Sequence, residues 1–199
     1  MTTVPAAGES FAALILAAGQ ARRFGGGKLT TPFEGRPLLH HAMAAAQAAP
    51  VTSITLVTGA DAEAVATCAR AFDTTIRVVH APGHAEGMAA SLRAGVASLP
   101  PKTRGVFVFL GDMPRIPTPV LEPLAKAVAK GASAAVPVFD GRRGHPVVLS
   151  RSLFPAVAGL TGDTGARPLL HALGARVAQV PTPDAGVLFD VDVPGDLSR

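Results

Sequence analysis

Short, largely apolar runs alternate with longer segments of helix-forming residues along most of this chain. The runs include FAALILAA at 11–18, SITLVTG at 53–59 and GVFVFL at 105–110. Runs with few polar positions are typical of strands that are buried on both faces of a sheet. Because strands that alternate with helices form βαβ units, the pattern predicts an α/β fold. We expect a three-layer, Rossmann-like arrangement with a mainly parallel, twisted sheet.

The last third of the chain departs from this alternation. SAAVPVF at 133–139, the turn DGRRG at 140–144 and HPVVLS at 145–150 indicate a small antiparallel hairpin. No internal repeat or long linker divides the 199 residues, a length that suits one domain. We expect a disordered arm at 1–10 and a single domain over 11–199.

Composition argues against several classes of protein. The net charge is +4, the basic residues are scattered, and the chain has no Trp or Tyr for stacking on bases, so we expect no nucleic-acid partner. No apolar stretch approaches 18 residues, so we expect no membrane span. Cys68 is the only cysteine, which excludes a disulfide framework and suits a reducing compartment. These observations predict a cytoplasmic protein.

A glycine-rich, basic loop follows the first predicted strand. The segment LAAGQARRFGGGK at 16–28 contains Arg22, Arg23 and Lys28. Glycine allows backbone amides to approach a ligand closely, and successive amides near a helix start bind anions. The segment is not a P-loop, because the lysine is followed by Leu29, and its glycines do not match G-x-G-x-x-G. The loop therefore predicts a polyphosphate site of another kind.

Carboxylates stand at two further strand ends. Asp112 ends the most apolar run, and Asp190 and Asp192 share one face of an extended segment near the end of the chain. Ligands of parallel sheets bind beyond the carboxyl ends of the strands, so the acids and the loop should share one rim. Carboxylate oxygens suit Mg²⁺, which would neutralise a bound triphosphate. An acceptor oxyanion could then attack the α-phosphorus in line, with positioning and electrostatics carrying the rate.

Three motifs in this order resemble those of the MobA-like nucleotidyltransferases. LAAGQARRFGGGK resembles their loop signature, GDMPRI at 111–116 their metal-binding turn, and DVDVPGDL at 190–197 their terminal motif. Three further segments resemble those of the molybdenum cofactor cytidylyltransferases within that family: GMAASLRAG at 87–95, GRRGHPVVL at 141–149 and LTGDTGARPLL at 160–170. The resemblance covers about residues 11–199 and implies a nucleotidyltransferase fold.

The resemblance also implies a reaction and its partners. Enzymes of this group join CMP from CTP to molybdopterin and release pyrophosphate. It implies Mg²⁺ as the cofactor, and a recipient molybdoenzyme or its chaperone as a partner. Arg23, Lys28 and Asp112 would be catalytic, and the metal would be held by Asp112, Asp192 and Asp190, with Asp192 as the preferred second carboxylate.

The remaining implied site residues fall into two sets. The nucleotide would be bound by Leu16, Ala17, Ala18, Gly19, Gly25, Gly26, Lys28, Gly87, Ser91 and Asp112. The acceptor would be bound by His145, Asp163 and Arg167. The methyl group of Ala18 is expected to disfavour a purine base.

Other activities fit the same residues. A related transferase could use GTP, or could act on a sugar or polyol phosphate. A non-catalytic carrier or chaperone for the molybdenum cofactor could also keep this fold, although Lys28, Asp112 and Asp192 together argue for catalysis.

Several residues near the motifs are expected to have structural positions only. Asp61 can cap the helix that follows it, Met88 should belong to the core, and Asp196 should be a solvated helix residue. His80 and His84 flank a Pro-Gly loop near the predicted base site and are expected to be structural.

Overall fold

The computed structural model describes residues 10–198. Its strands are β1 (Ser10–Ala17), β2 (Pro32–Phe33), β3 (Arg36–Pro37), β4 (Ser53–Thr58), β5 (Arg77–His80), β6 (Thr103–Leu110), β7 (Ala134–Phe139), β8 (Arg142–Arg143), β9 (Val147–Ser150) and β10 (Val177–Pro181). Its α-helices are α1 (Leu38–Ala48), α2 (Ala62–Phe72), α3 (Met88–Ala97), α4 (Leu121–Ala129), α5 (Phe154–Ala158) and α6 (Arg167–Leu173). The predicted arm lies outside the described residues except for Ser10, which begins β1.

The main sheet has the strand order β5-β4-β1-β6-β9-β7-β10. Neighbours run parallel from β5 to β6, and β7 runs parallel to β10. Strand β9 is antiparallel to both β6 and β7, and β8 pairs antiparallel with β7. The predicted α/β fold, with a mainly parallel sheet and a small antiparallel hairpin, is confirmed.

Helices cover both faces of this sheet. One buried cluster includes Leu39 of α1, Val65 of α2 and Leu124 of α4, whereas another includes Leu92 of α3 and Leu170 of α6. Strand β1 contributes alternate residues to the two clusters. Because successive side chains of a strand point to opposite faces, a strand between two cores must be apolar throughout. This explains the continuous run at 11–18.

Two tight turns reverse the chain within the hairpins. Asp140 and Gly141 join β7 to β8 with φ angles of 47° and 72°, and Glu34 and Gly35 join β2 to β3 with φ angles of 47° and 84°. Positive φ at both central residues is the geometry of a type I′ turn, for which Asp-Gly is a preferred sequence. The local sequence therefore determines where both hairpins turn.

A small apolar cluster holds distant segments at the carboxyl rim of the sheet. We call it the rim cluster; its buried members are Phe33, Leu38 and Val191, and Phe24, Leu29, Phe189 and Leu197 pack against it. It joins the glycine loop, the β2–β3 hairpin and the segment that carries the last aspartates.

Backbone hydrogen bonds tie the same rim together. The amide of Gly111 donates to the Leu16 carbonyl at 2.9 Å, and the amide of Val191 donates to the Asp112 carbonyl at 3.0 Å. The ends of β1 and β6 and the terminal segment are therefore connected directly. Within residues 10–198, no helix combines the length and apolar character that crossing a membrane requires.

Candidate active site

The glycine loop folds tightly around one carbonyl group. The φ angles of Gly25, Gly26 and Gly27 are 94°, 95° and 62°, values that favour glycine. The amides of Phe24, Gly25 and Gly26 all donate to the carbonyl of Ala21, at 3.0, 3.0 and 3.3 Å. In this structure the loop thus satisfies its own amides, and Gly25 and Gly26 do not line the cleft described below.

Lys28 joins three segments that are far apart in the chain. Its Nζ lies 2.6 Å from Oδ2 of Asp112 and donates to the Val191 carbonyl at 2.9 Å. Only 11% of the Lys28 side chain is exposed, against 27% for Asp112. The structure therefore brings the predicted loop lysine and the predicted aspartate of β6 into contact, partly shielded from water.

Arg23 makes a second cation–carboxylate pair, with Asp192. Both side chains are exposed, and the hydrogen bond from Arg23 to Asp192 raises the pKa of the guanidinium. The Arg22 side chain has different neighbours: it lines the cleft, and its Nε donates to Oε1 of Gln20 at 2.6 Å. The motif resemblance assigns a role to Arg23, but Arg22 is the arginine that lines the cleft.

The three aspartates offer oxygen donors but do not form a closed metal cage. Partial burial raises the pKa of Asp190, and the charges of Asp112 and Asp192 raise it further. Among the described residues, no three His, Cys, Asp or Glu side chains are arranged to hold a metal ion. Carboxylate oxygens suit Mg²⁺, which keeps several waters and is often bound through one or two carboxylates plus substrate phosphates. The residues fit a metal of that kind.

A cleft of about 420 Å³ opens beside these pairs. It contains several of the predicted site residues, namely Leu16, Ala18, Gly19, Gly87, Ser91, Asp112 and Asp163. A smaller crevice of about 60 Å³ is lined by Ala17, Lys28, Leu29 and Asp61 and also by Asp112, which borders both spaces.

The start of helix α3 forms one wall of the cleft. The amide of Met88 donates to Oδ1 of Asp163 at 3.0 Å, and the amide of Ala89 donates to the Gly162 carbonyl at 3.1 Å. Gly87, with φ of 118°, precedes the helix, and a Cβ there would lie 2.6 Å from the Gly162 oxygen. Asp163 and Gly162 therefore each satisfy one amide that a helix start leaves unpaired.

The three predicted acceptor residues occupy different surroundings. Asp163 lines the cleft, whereas Arg167 is exposed at the first position of α6. His145 precedes β9, and burial lowers its pKa, opposed by a hydrogen bond with the Val108 carbonyl and by the charge of Asp112. Its buried Nδ1 has no hydrogen-bond partner among the described residues.

One residue expected to be solvated is buried. Asp196 is 7% exposed, and its Oδ2 accepts from the amides of Asp192 and Val193, both at 3.0 Å. The prediction was wrong because Asp196 is the third residue of a 3₁₀ turn and bonds back to the turn's start, as the third residue of a capping box does. Asp196 thus fixes the backbone of the segment that carries Asp192.

Two other structural expectations concern residues beside the cleft and the crevice. Met88 packs against a core cluster, as expected, and it also lines the cleft. Asp61 stands at the start of α2 without a capping hydrogen bond from its side chain, and it borders the crevice beside Lys28.

Sequence reasoning also passed over Arg115. Its guanidinium lies 4.5 Å from the ring centroid of Phe189 and 5.4 Å from that of Phe33, and it donates to Glu34 at 3.0 Å. Arg115 therefore links the β2–β3 hairpin to the segment that precedes Asp190. A single basic residue after GDMP carries no local pattern that would reveal this role.

Comparisons with known proteins agree with this arrangement. Residues 13–178 match the family described as the MobA-like NTP transferase domain. Nicotine blue oxidoreductase of Paenarthrobacter nicotinovorans is 34% identical over 94% of each chain, and molybdenum cofactor cytidylyltransferase of Escherichia coli (strain K12) is 27% identical over 92% of each.

A solved structure covers nearly the same length. Rv0371c from Mycobacterium tuberculosis H37Rv matches with a TM-score of 0.84 and 30% identity, covering 96% of this chain and 97% of the other. A structure of Rv0371c in complex with manganese matches with a TM-score of 0.74 and 28% identity over 88% and 89% of the two chains.

Proposed function

From the premise that this chain belongs to the MobA-like NTP transferase family and is a nucleotidyltransferase, we propose that it transfers CMP from CTP to molybdopterin. Pyrophosphate is the second product. Nucleotidyl transfer follows from membership of the family, whereas CTP as the nucleotide and molybdopterin as the acceptor are our proposal. The cytidylyltransferase of E. coli, similar along nearly the whole chain, supports both choices.

The contact of Lys28 with Asp112 carries this proposal. A cation and a carboxylate 2.6 Å apart at the edge of an open cleft match the two halves of a metal–triphosphate complex. Phosphate oxygens can accept hydrogen bonds from the lysine in place of the carboxylate, and a divalent cation can bind the carboxylate in place of the lysine. Arg23 and Asp192 provide a second pair of the same kind.

Each group then has a defined task. Lys28, Arg22 and Arg23 bind phosphate oxygens and stabilise the charge that develops on the departing pyrophosphate. An acceptor phosphate oxygen bonds to the α-phosphorus while the bond from that phosphorus to the bridging oxygen breaks, and the electron pair leaves with pyrophosphate. Asp112 and Asp192 would hold Mg²⁺, which when bound neutralises charge on the phosphate oxygens.

The packing around Ala18 supports a pyrimidine. Ala18 lines the cleft and lies close to Gly59, where an added Cβ would come within 2.7 Å of the Ala18 methyl group. The methyl group therefore stands at a tightly packed point of the wall and narrows the space for a base. A purine needs more room there than a pyrimidine does.

The proposal extends to where the product goes. A single cysteine in the chain suits a reducing compartment, so we place the reaction in the cytoplasm. There, a recipient molybdoenzyme or its chaperone would collect the nucleotide-bearing cofactor.

A turnover assay with Asp112→Ala tests the assignment. We measure pyrophosphate release and product mass with CTP, GTP or ATP, each combined with molybdopterin or a sugar phosphate, in the presence of Mg²⁺. Wild type should release pyrophosphate with CTP and molybdopterin. Asp112→Ala should reduce this rate by far more than tenfold, where tenfold corresponds to a barrier change of about 1.4 kcal/mol. Glu122→Ala, which removes an exposed carboxylate on α4, should behave as wild type.

Other outcomes of the same assay assign other functions. Preference for GTP or for a sugar phosphate would replace the cytidylyl assignment, and a carrier would release no pyrophosphate. The name of the P. nicotinovorans relative makes an oxidoreductase the second candidate, because that protein is 34% identical. Electron transfer by the purified protein between a nicotinamide nucleotide and a redox dye, without pyrophosphate release, would favour the oxidoreductase.

A further inference from the structure

The two ends of the cleft differ in charge. Arg22 lines the cleft after β1, and Lys28 contacts Asp112 after β6, whereas the carboxylates of Glu86 and Asp163 lie at the start of α3, beyond β5 and on the far side of β4 in the strand order. Glu86 pairs with Arg93 at 3.2 Å, and Asp163 caps α3. Phosphates are attracted to the first end and repelled from the second, so a nucleotide in this cleft places its base near the second end.

His84 stands at that second end. It lines the cleft, and its Cβ packs against Gly59, where an added Cβ would meet it at 2.8 Å. The same added atom would meet the Ala18 methyl group at 2.7 Å. Gly59 thus has Ala18 and His84 as immediate neighbours, and both border the space available to a base.

The orientation of the His84 ring is set by one hydrogen bond. Nδ1 lies 3.0 Å from the carbonyl oxygen of Ala81, and because a carbonyl only accepts, Nδ1 carries the hydrogen. In the neutral ring, Nε2 is then an acceptor. No side chain or backbone group of residues 10–198 forms a hydrogen bond with Nε2. The edge of the His80 ring, with centroids 5.7 Å apart, supports the ring from one side.

We propose that His84 selects the nucleobase by accepting a hydrogen bond at Nε2 from the exocyclic amine of cytosine. This inference rests on the proposed function, because it assumes that CTP occupies the cleft. Uracil has a carbonyl oxygen at the same ring position, so UTP would oppose two acceptors. A site that must hydrogen-bond one substrate rejects an analogue that leaves its polar group unpaired.

Binding of CTP and UTP to wild type and to variants tests the proposal. We measure dissociation constants by calorimetry with Mg²⁺ present, for wild type, His84→Ala, His84→Gln and His171→Ala. His84→Ala should weaken CTP binding by about tenfold and should not weaken UTP binding, so that the preference for CTP disappears. His84→Gln should retain much of the preference, because its carboxamide oxygen can reach the position of Nε2. His171→Ala removes an exposed histidine of α6 that does not line the cleft and should behave as wild type.

The outcomes separate this proposal from the previous one. If wild type prefers CTP to UTP and His84→Ala keeps that ratio, or weakens both nucleotides equally, the role of His84 is refuted and the cytidylyl assignment stands. If wild type binds GTP more tightly than CTP, the assignment of the nucleotide itself fails. Should His84→Ala not fold, as judged by circular dichroism, the contrast between His84→Gln and His84→Leu decides the matter in the same way.

Discussion

At the scale of single residues, the site depends on polar groups that each serve more than one segment. Lys28 contacts both Asp112 and the backbone at Val191, and Asp196 accepts two amides of the segment that carries Asp192. The motifs made the proximity of Lys28 and Asp112 predictable, because both follow strands whose ends share one rim. The burial of Asp196 was not predictable in the same way, since a polar residue near a chain end is usually solvated.

The buried histidine of α1 makes stability depend on pH. His41 is 7% exposed, with Nε2 2.8 Å from the Phe33 carbonyl, and burial lowers its pKa despite that hydrogen bond. The unfolded chain therefore binds the proton more readily than the folded protein. The free energy of unfolding should be greatest above the ordinary histidine pKa of about 6.5 and fall as the pH drops below it. The fall is about 1.4 kcal/mol for each pH unit between the pKa of the unfolded chain and that of the folded protein.

Urea unfolding between pH 8 and pH 5 measures this effect. The lowered pKa of His145 contributes with the same sign, so His41→Gln should reduce the pH dependence without abolishing it. His171→Gln, which removes an exposed histidine from α6, controls for the loss of a surface group. A free energy of unfolding that stays constant or rises on acidification would contradict the expectation.

At the scale of elements, the strands and the hairpin could be predicted from local signals, whereas the contacts that cap helix α3 could not. Alternating apolar runs indicated the sheet, and the Asp-Gly turn after β7 indicated its hairpin, because both signals are local. The start of α3 depends instead on Gly162 and Asp163, which lie in a later segment of the chain. A capping partner some 75 residues away leaves no mark in the local sequence.

Glycine substitutions test the packing at the start of α3. A Cβ at Gly87, where φ is +118°, would meet the Gly162 oxygen at 2.6 Å, whereas Gly131 has a similar φ of +106° and nothing within 4 Å. Gly131→Ala should lower the free energy of unfolding by about 1–2 kcal/mol through backbone strain alone. Gly87→Ala should lower the free energy of unfolding by roughly another 1–3 kcal/mol, because the added Cβ overpacks this contact. Equal losses in urea unfolding would show that the 162–163 segment yields without resistance.

At the scale of the whole molecule, the site assembles from the first strand, the central strand and the final segment. The fold class could be predicted because βαβ alternation leaves few arrangements, and the shared rim follows from parallel strands. The site is internally neutral, because Lys28 pairs with Asp112 and Arg23 pairs with Asp192. This internal neutrality could not be predicted. Whether a lysine contacts an aspartate or only lies near it depends on the rim cluster, whose members come from the glycine loop, the β2–β3 hairpin with the start of α1, and the terminal segment.

Internal neutrality predicts that metal and nucleotide bind cooperatively. Lys28 competes with any metal for Asp112, so Lys28→Met should bind Mn²⁺ in the absence of nucleotide about tenfold more tightly than wild type, a change of about 1.4 kcal/mol. The further tightening that CTP produces in wild type should shrink in this variant, since the cation that the phosphates would recruit is gone.

Titration of Mn²⁺ followed by electron paramagnetic resonance, with and without CTP, provides the measurement. Lys130→Met removes an exposed lysine beyond α4 and should match wild type in both titrations. Unchanged or weaker Mn²⁺ binding by Lys28→Met without nucleotide would show that the lysine does not restrain the carboxylate.

The position of Asp192 after the last strand has a consequence during protein synthesis. When synthesis reaches residue 181, every strand described within residues 10–198 has been added, whereas Asp190 and Asp192 have not. A product released between these points contains all of those strands but lacks both late carboxylates, and with Asp192 it lacks the partner of Arg23. We expect such a product to pair its strands once released and to bind a metal–nucleotide complex less tightly than the full sequence does.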